Sequence, residues 1–178
     1  MAGNILSFFW GFAEATLFFI VPDVGLSIIA LQGVNEGLIA CLYALAGAMT
    51  GGTMMFYWGR ASVEKVTDIL HKIPAIRTKD TQKVRADLKA SGIMAMMFGP
   101  ILGIPYKIYA SYAYQVTSIF FFLLVSIPAR VVRFVLVTYA TPYIIHKFLP
   151  GASFPSQVQV TLAFWAVFYT AYFFIKRK

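Results

Sequence analysis

The sequence predicts an all-α polytopic membrane protein. Its plan is an inverted repeat, a re-entrant helical hairpin followed by a transmembrane helix in each half, with an extra C-terminal transmembrane helix. Three observations predict it. Of 178 residues, 60% are hydrophobic and only 12% charged, against about 25% charged in a soluble domain. Three runs, 37–59, 108–129 and 158–175, carry no charge, and each is near the roughly 20 residues that cross hydrocarbon. Two further apolar stretches, 5–31 and 92–115, are interrupted by proline and glycine. This composition argues against a soluble enzyme, a disordered tail and a nucleic-acid module, and the length fits one integral membrane domain over 1–178.

Taken in order, residues 5–31 form the first re-entrant hairpin. It breaks at Pro22-Asp23, with a helix turn or two on each side. One tilted span kinked at Pro22 is the alternative. The hairpin is preferred because both halves then share one plan in opposite orientation. Residues 37–59 form a transmembrane helix ending at Arg60. Eight of the 15 basic residues lie at 60–89, and Lys176, Arg177 and Lys178 close the sequence. The positive-inside rule puts both clusters in the cytoplasm, with the turn at 32–36 and the loop at 146–156 outside. Residues 60–91 are a cytoplasmic amphipathic loop. Val63, Val66, Ile69, Leu70 and Ile73 recur at helical spacing until Pro74, and Val84 and Leu88 form a second stripe. These short helices either lie on the membrane interface, where anionic headgroups are the counter-charge, or form a solvated cap.

Residues 92–115 enter and leave on the cytoplasmic side. Gly99, Pro100, Gly103 and Pro105 break this second re-entrant hairpin midway. Residues 117–145 and 158–175 are the remaining transmembrane helices. Internal similarity is short: 20–24 can be laid on 103–107, and Ala30 then falls on Ala113. Interrupted segments at corresponding positions of inverted halves point to a transport site near the midplane. Ala40, Ala44, Ala48 and Gly52, with Gly47 and Gly51 alongside, let helix backbones approach closely. Internal packing is the first reading and a homo-oligomer face the second.

Five charges fall inside apolar segments: Glu14, Asp23, Lys107, Arg130 and Arg133. Each costs at least about 2.5–3.5 kcal/mol near the bilayer centre. Arg130 and Arg133 share one helix face, and Pro128 just before them frees a carbonyl. One reading is mutual neutralisation inside the bundle. The other is a polar site between the hairpins. There, the surplus of basic groups receives an anionic group, and Glu14 or Asp23 carries a proton. The tyrosines from Tyr106 to Tyr114 pack, face lipid or line that site. Cys41 is the single cysteine and no zinc spacing exists. His71 and His146 are far apart, and no hydrolase, metalloprotease or phosphate-loop motif is present. Nothing in the pattern points to catalysis, a metal or a cofactor. The first 21 residues lack a basic start and a cleavage site, so a cleaved signal peptide is not expected.

The stretch from Gly11 to Thr16 with Val21-Pro22-Asp23-Val24 resembles the first motif of the DedA family, also called the VTT or SNARE-associated domain. Gly47-Ala48-Met49-Thr50-Gly51-Gly52, then Tyr57-Trp58-Gly59-Arg60, resembles the family's glycine-rich helix and the box that ends it. Gly103-Ile104-Pro105-Tyr106-Lys107 resembles the second hairpin of a small bacterial subgroup. The resemblance covers about residues 8–140. It implies two opposed re-entrant hairpins, an acidic residue in the first matching Glu14 or Asp23, and basic residues matching Lys107 and Arg130. It also implies an inner-membrane transporter moving an anionic lipid, a polyprenyl phosphate or phospholipid, with protons as the coupled ion. The chain departs from the family where an arginine usually precedes the second break, since Gly99 and Pro100 stand there. Two other readings stand beside this one: a proton-coupled exporter of small cations or drugs serving ion homeostasis, and a non-transporting assembly or scaffold protein.

Overall fold

The computed structural model describes residues 2–74, 76–99 and 103–177. Pro100 and Lys178, both singled out above, lie outside them. Every regular element among the described residues is helical: α1 (Ala2–Thr16), α2 (Asp23–Ala30), α3 (Val34–Ala61), α4 (Val63–Leu70), α5 (Thr78–Ser91), α6 (Met94–Phe98), α7 (Tyr106–Tyr112), α8 (Ile119–Phe148) and α9 (Phe154–Arg177). A 3₁₀ turn, Ala113–Gln115, follows α7.

Three helices, α3, α8 and α9, are long and apolar enough to cross a membrane. At about 1.5 Å per residue, the 28 residues of α3 and 30 of α8 exceed the ~30 Å of hydrocarbon. Both outrun the uncharged runs because charge suits their ends. Glu36 lies in the first turn of α3 and Arg60 in its last, and His146 and Lys147 lie in the last turn of α8. Glu36, Arg60 and Lys147 each have the sign that complements the helix dipole there. The bundle is apolar outward. Phe120, Val132, Leu136, Phe164, Val167 and Phe174 are all exposed, which suits a hydrocarbon surround rather than water.

Small residues set the packing of α3. A Cβ placed on Gly47 would stand 1.9 Å from the Phe8 carbonyl oxygen, and one on Gly11 2.1 Å from that of Ala44. The backbones of α1 and α3 therefore touch, and the Ala40-Ala44-Ala48 row is wholly buried. The stripe is used inside this chain.

The first interrupted stretch differs from the expectation of a turn or two on each side. α1 has 15 residues, about four turns, and the chain leaves helix only over 17–22. Val21 is biased away from helix by the proline after it, and buried Pro22 sits at the N-cap of α2. Pro105 holds the same position before α7. Gly103, at φ +81°, supplies a left-handed residue that a side chain would disfavour.

α2 and α7 run toward opposite ends of α3. Gly37, near the start of α3, meets Ala30 at the end of α2, while Gly59, near its end, meets the Ser111 backbone late in α7. The first residues of both short helices point back to the middle of the bundle.

α4 and α5 turn their apolar stripes inward. Val66, Leu70, Ile73, Ile76, Val84 and Leu88 join one core with Met55, Phe56, Ile108 and Tyr109. Their buried faces hold the pair to the bundle as a cap. Thr67 shares a 2.6 Å hydrogen bond with the Tyr112 hydroxyl, and Tyr109 donates to Asp87 at 3.3 Å.

Gly47→Ala forces a methyl into the Phe8 carbonyl, and overpacking of this kind costs about 1–3 kcal/mol. The variant is expected to melt below the parent in detergent. Ala46→Leu, on the exposed face of α3, is expected to melt with the parent.

Candidate functional site

α8 buries one narrow row: Phe122, Ser126, Arg130, Phe134, Thr138, Pro142 and Ile145. The spacing is four residues almost throughout, one stripe of an α-helix. Arg130 falls near the middle of this 30-residue helix, with Arg133 one turn on. The helix runs on through Pro128 and Pro142. Neither proline has an N–H, so the carbonyls of Leu124 and Thr138 lose their usual partners.

Each arginine takes one carboxylate. Arg130 Nη1 donates to Glu14 Oε2 at 2.9 Å, and both side chains are more than nine-tenths buried. Arg133 Nε lies 3.3 Å from Asp23 Oδ2, with Asp23 buried but the Arg133 side chain 40% exposed. The Arg130 guanidinium also lies over the Tyr106 ring, 4.0 Å from its centre, a cation–π contact. The Tyr106 hydroxyl donates to Ser126 Oγ at 3.1 Å, and Ser126 donates to the Phe122 carbonyl at 2.7 Å. Arg130 thus ties α1 to the first turn of α7, and Arg133 ties α8 to the first residue of α2.

Lys107 is buried, and its ammonium donates to the Phe18 carbonyl. That carbonyl belongs to the break between α1 and α2. Two more side chains serve the same break. Trp10 Nε1 donates to the Ile20 carbonyl at 3.0 Å, and the Val21 N–H donates to the Tyr169 hydroxyl at 2.7 Å. α9 makes a second contact where Trp165 Nε1 donates to Ser27 Oγ at 3.0 Å.

Five of the polar atoms in this cluster have no hydrogen-bond partner: Asp23 Oδ1, Arg130 Nε and Nη2, and Arg133 Nε and Nη2, the Arg133 Nε contact to Asp23 being an ion pair without hydrogen-bond geometry. Buried polar atoms are almost always paired. The cluster holds three cations and two carboxylates, so one positive charge is unmatched. Among the described residues, no group of His, Cys, Asp and Glu is arranged to hold a metal ion.

All five charges singled out in the sequence lie in or beside this cluster. Of the expected hairpin breaks, Pro22 and Pro105 cap the short helices, and Gly99 ends α6. Of the tyrosines in 106–114, Tyr106 is the one stacked on Arg130. Sequence reasoning did not single out Ser126, Trp165 or Tyr169. Ser126 stands four residues before Arg130. Gln157, Thr161, Trp165 and Tyr169 recur every four residues along α9, a polar-tipped stripe on an otherwise apolar helix, and that period was the available signal.

No family model, no curated protein and no solved structure matches this chain.

Glu14→Gln keeps an oxygen that accepts from Arg130 Nη1, whereas Glu14→Leu leaves a buried guanidinium without any carboxylate or carbonyl. Losing one partner of a buried pair costs about 3–5 kcal/mol. Glu14→Leu is expected to aggregate or melt far below Glu14→Gln in size-exclusion and thermal-melting measurements. Equal melting of the two would mean that the pair carries little of the fold.

Proposed function

We propose that this protein is a small multi-pass transporter of the bacterial inner membrane, of the DedA type, which moves an anionic lipid headgroup between leaflets through the charge cluster. Polyprenyl phosphates and anionic phospholipids are the substrate class, and Glu14 or Asp23 carries the coupled proton. The observation that carries this reading is the unspent hydrogen-bonding capacity of Arg130 and Arg133 beside an uncompensated positive charge. Clusters that only hold helices together rarely leave several buried guanidinium donors idle. An anionic group has the right charge and acceptors to use them. The same surplus disfavours a cation or cationic drug as cargo.

The opposed directions of α2 and α7, each opened by a proline, support reading 5–31 and 92–115 as re-entrant hairpins of an inverted repeat. Irregular backbone at membrane depth is tolerated where it is buried in protein or lines a wet cavity. In this reading residues 60–90 and the C-terminal basic cluster face the cytoplasm, and 146–156 faces outward.

Proteoliposomes with fluorescent phosphatidylglycerol, phosphatidylcholine or a labelled polyprenyl phosphate test the transport. Leaflet exchange is expected to exceed that of empty liposomes for the anionic lipids. It is expected to fall at least tenfold in Glu14→Gln and Lys107→Gln protein that remains monodisperse. Exchange equal to empty liposomes for every anionic lipid would sink the assignment. Unchanged exchange in both variants would instead leave the charges a structural role.

Orientation has its own test. Thr78 and Ser153 are exposed. Cys41 is buried and 3.1 Å from the Thr138 hydroxyl, a contact that Cys41→Ser preserves. In that background, an impermeant thiol reagent on intact cells should label Ser153→Cys and spare Thr78→Cys. The reverse pattern would invert the topology.

A further inference from the structure

The last turn of α3 and the start of α8 border a cavity of about 310 Å³ lined by Tyr57, Arg60, Tyr114, Thr117 and Ser118 over a floor of Phe56. Arg60 and Tyr57 belong to the box that ends α3, which the transport reading leaves unused. We propose that this cavity is a second lipid site, which binds the phosphate of an anionic phospholipid at the membrane surface, separate from the charge cluster.

The lining favours such a ligand. The cavity between α3 and α8 on the other side, about 210 Å³, is walled by Leu38, Ile39, Leu42, Phe134 and Val135, where only hydrocarbon fits. The walls here instead offer a guanidinium, two phenols and two hydroxyls. Arg60 is exposed and has no ion-pair partner among the described residues. Ser118 stands at the N-cap of α8, yet its hydroxyl does not cap the helix, so it is free to donate outward. A guanidinium and a hydroxyl on the walls of one pocket are what a phosphate monoanion takes.

Size and place point to a lipid rather than free phosphate. A water occupies about 30 Å³ of liquid, so the cavity takes a phosphate with its glycerol ester. Directly after the cavity, Phe120 and Phe121 are exposed on α8 and offer acyl chains an apolar track along the bundle. α5 carries four basic residues against two acidic ones and packs into the same core as Met55 and Phe56 near that end of α3, so its charge concentrates anionic headgroups nearby. Balancing the dipole at the end of α3 would account for the charge of Arg60. It accounts for neither the hydroxyls nor the cavity.

Thermal melting of the purified full-length protein in a neutral detergent, titrated with dioleoylphosphatidylglycerol, dioleoylphosphatidylcholine or inorganic phosphate, tests the site. Phosphatidylglycerol is expected to raise the melting temperature saturably and phosphatidylcholine to do so little. Arg60→Gln, at an exposed position, is expected to weaken the phosphatidylglycerol midpoint about tenfold, the worth of one charge-assisted hydrogen bond. Ser118→Ala should weaken it several-fold. Lys65→Gln, an exposed basic residue outside the cavity, should leave it unchanged. An unchanged midpoint in Arg60→Gln overturns the site, and an equal loss in Lys65→Gln reduces it to diffuse surface charge. Inorganic phosphate protecting at the same concentration as phosphatidylglycerol would overturn the lipid assignment. None of these readouts depends on transport.

Discussion

The six residues between α1 and α2 set the terms for most of this molecule. A helix interrupted in apolar surroundings leaves peptide groups without partners, and hydrocarbon supplies none. Here three side chains supply them. Trp10 comes from α1, Lys107 from the start of α7 and Tyr169 from the middle of α9. The break therefore acts as a hub that draws together parts of the chain some 150 residues apart in sequence. α9 shows the consequence. Only 6% of its spanning stretch is buried, so apolar packing holds it weakly. The bonds from Val21 and to Ser27, with Phe19 against Phe173, fix its position.

The charge cluster lies on that hub. Lys107 is both a partner of the break and one of the three cations that act on Glu14, with Arg130 and Arg133. Burying Glu14 and Arg130 together is tolerable because their geometry is direct and Tyr106 stacks on the guanidinium. Asp23 and Arg133 are held differently, since the arginine keeps contact with the surroundings while the carboxylate does not. One end of the cluster is sealed and the other half-open.

How much of this was legible follows from where the signals are strong. The long helices are read easily, because a charge-free run of spanning length fits little besides a membrane helix. The five charges stand out against the same apolar background, and proline marks the start of both short helices. The partners of these groups were not legible. Which carboxylate meets which arginine depends on helix rotation, and the residue pattern gives the face of Arg130 but not what packs against it. The contribution of α9 was hidden because tyrosine and tryptophan in an apolar helix read as lipid-facing or interfacial residues. The stripes of α4 and α5 gave the helices but left their surroundings open, since an amphipathic face fits a membrane surface and a protein core equally well. The core that claims them draws on Met55, Phe56 and Tyr109, residues with no local sign of that pairing.

The bonds of the hub and the cluster are linked in a way that bears on movement. α7 carries both Tyr106 and Lys107, so a displacement of this short helix that uncovers Arg130 also withdraws Lys107 from the Phe18 carbonyl. The break between α1 and α2 then loses a donor at the moment that Arg130 loses its ring. Packed elements with shared bonds of this kind shift between discrete arrangements rather than deforming gradually. In the arrangement seen here, Glu14 holds Nη1 of Arg130 and balances its charge, while Nε and Nη2 stay unpaired and open to an anionic ligand. A ligand phosphate reaching the half-open Asp23–Arg133 end meets a guanidinium with idle donors before it meets the sealed pair. Under the transport reading, cargo therefore enters past Arg133 and must compete with Glu14 for Arg130. In the same reading, protonating the carboxylate would remove its charge from that competition, so one acidic residue would couple a proton to an anionic headgroup without a separate ion site.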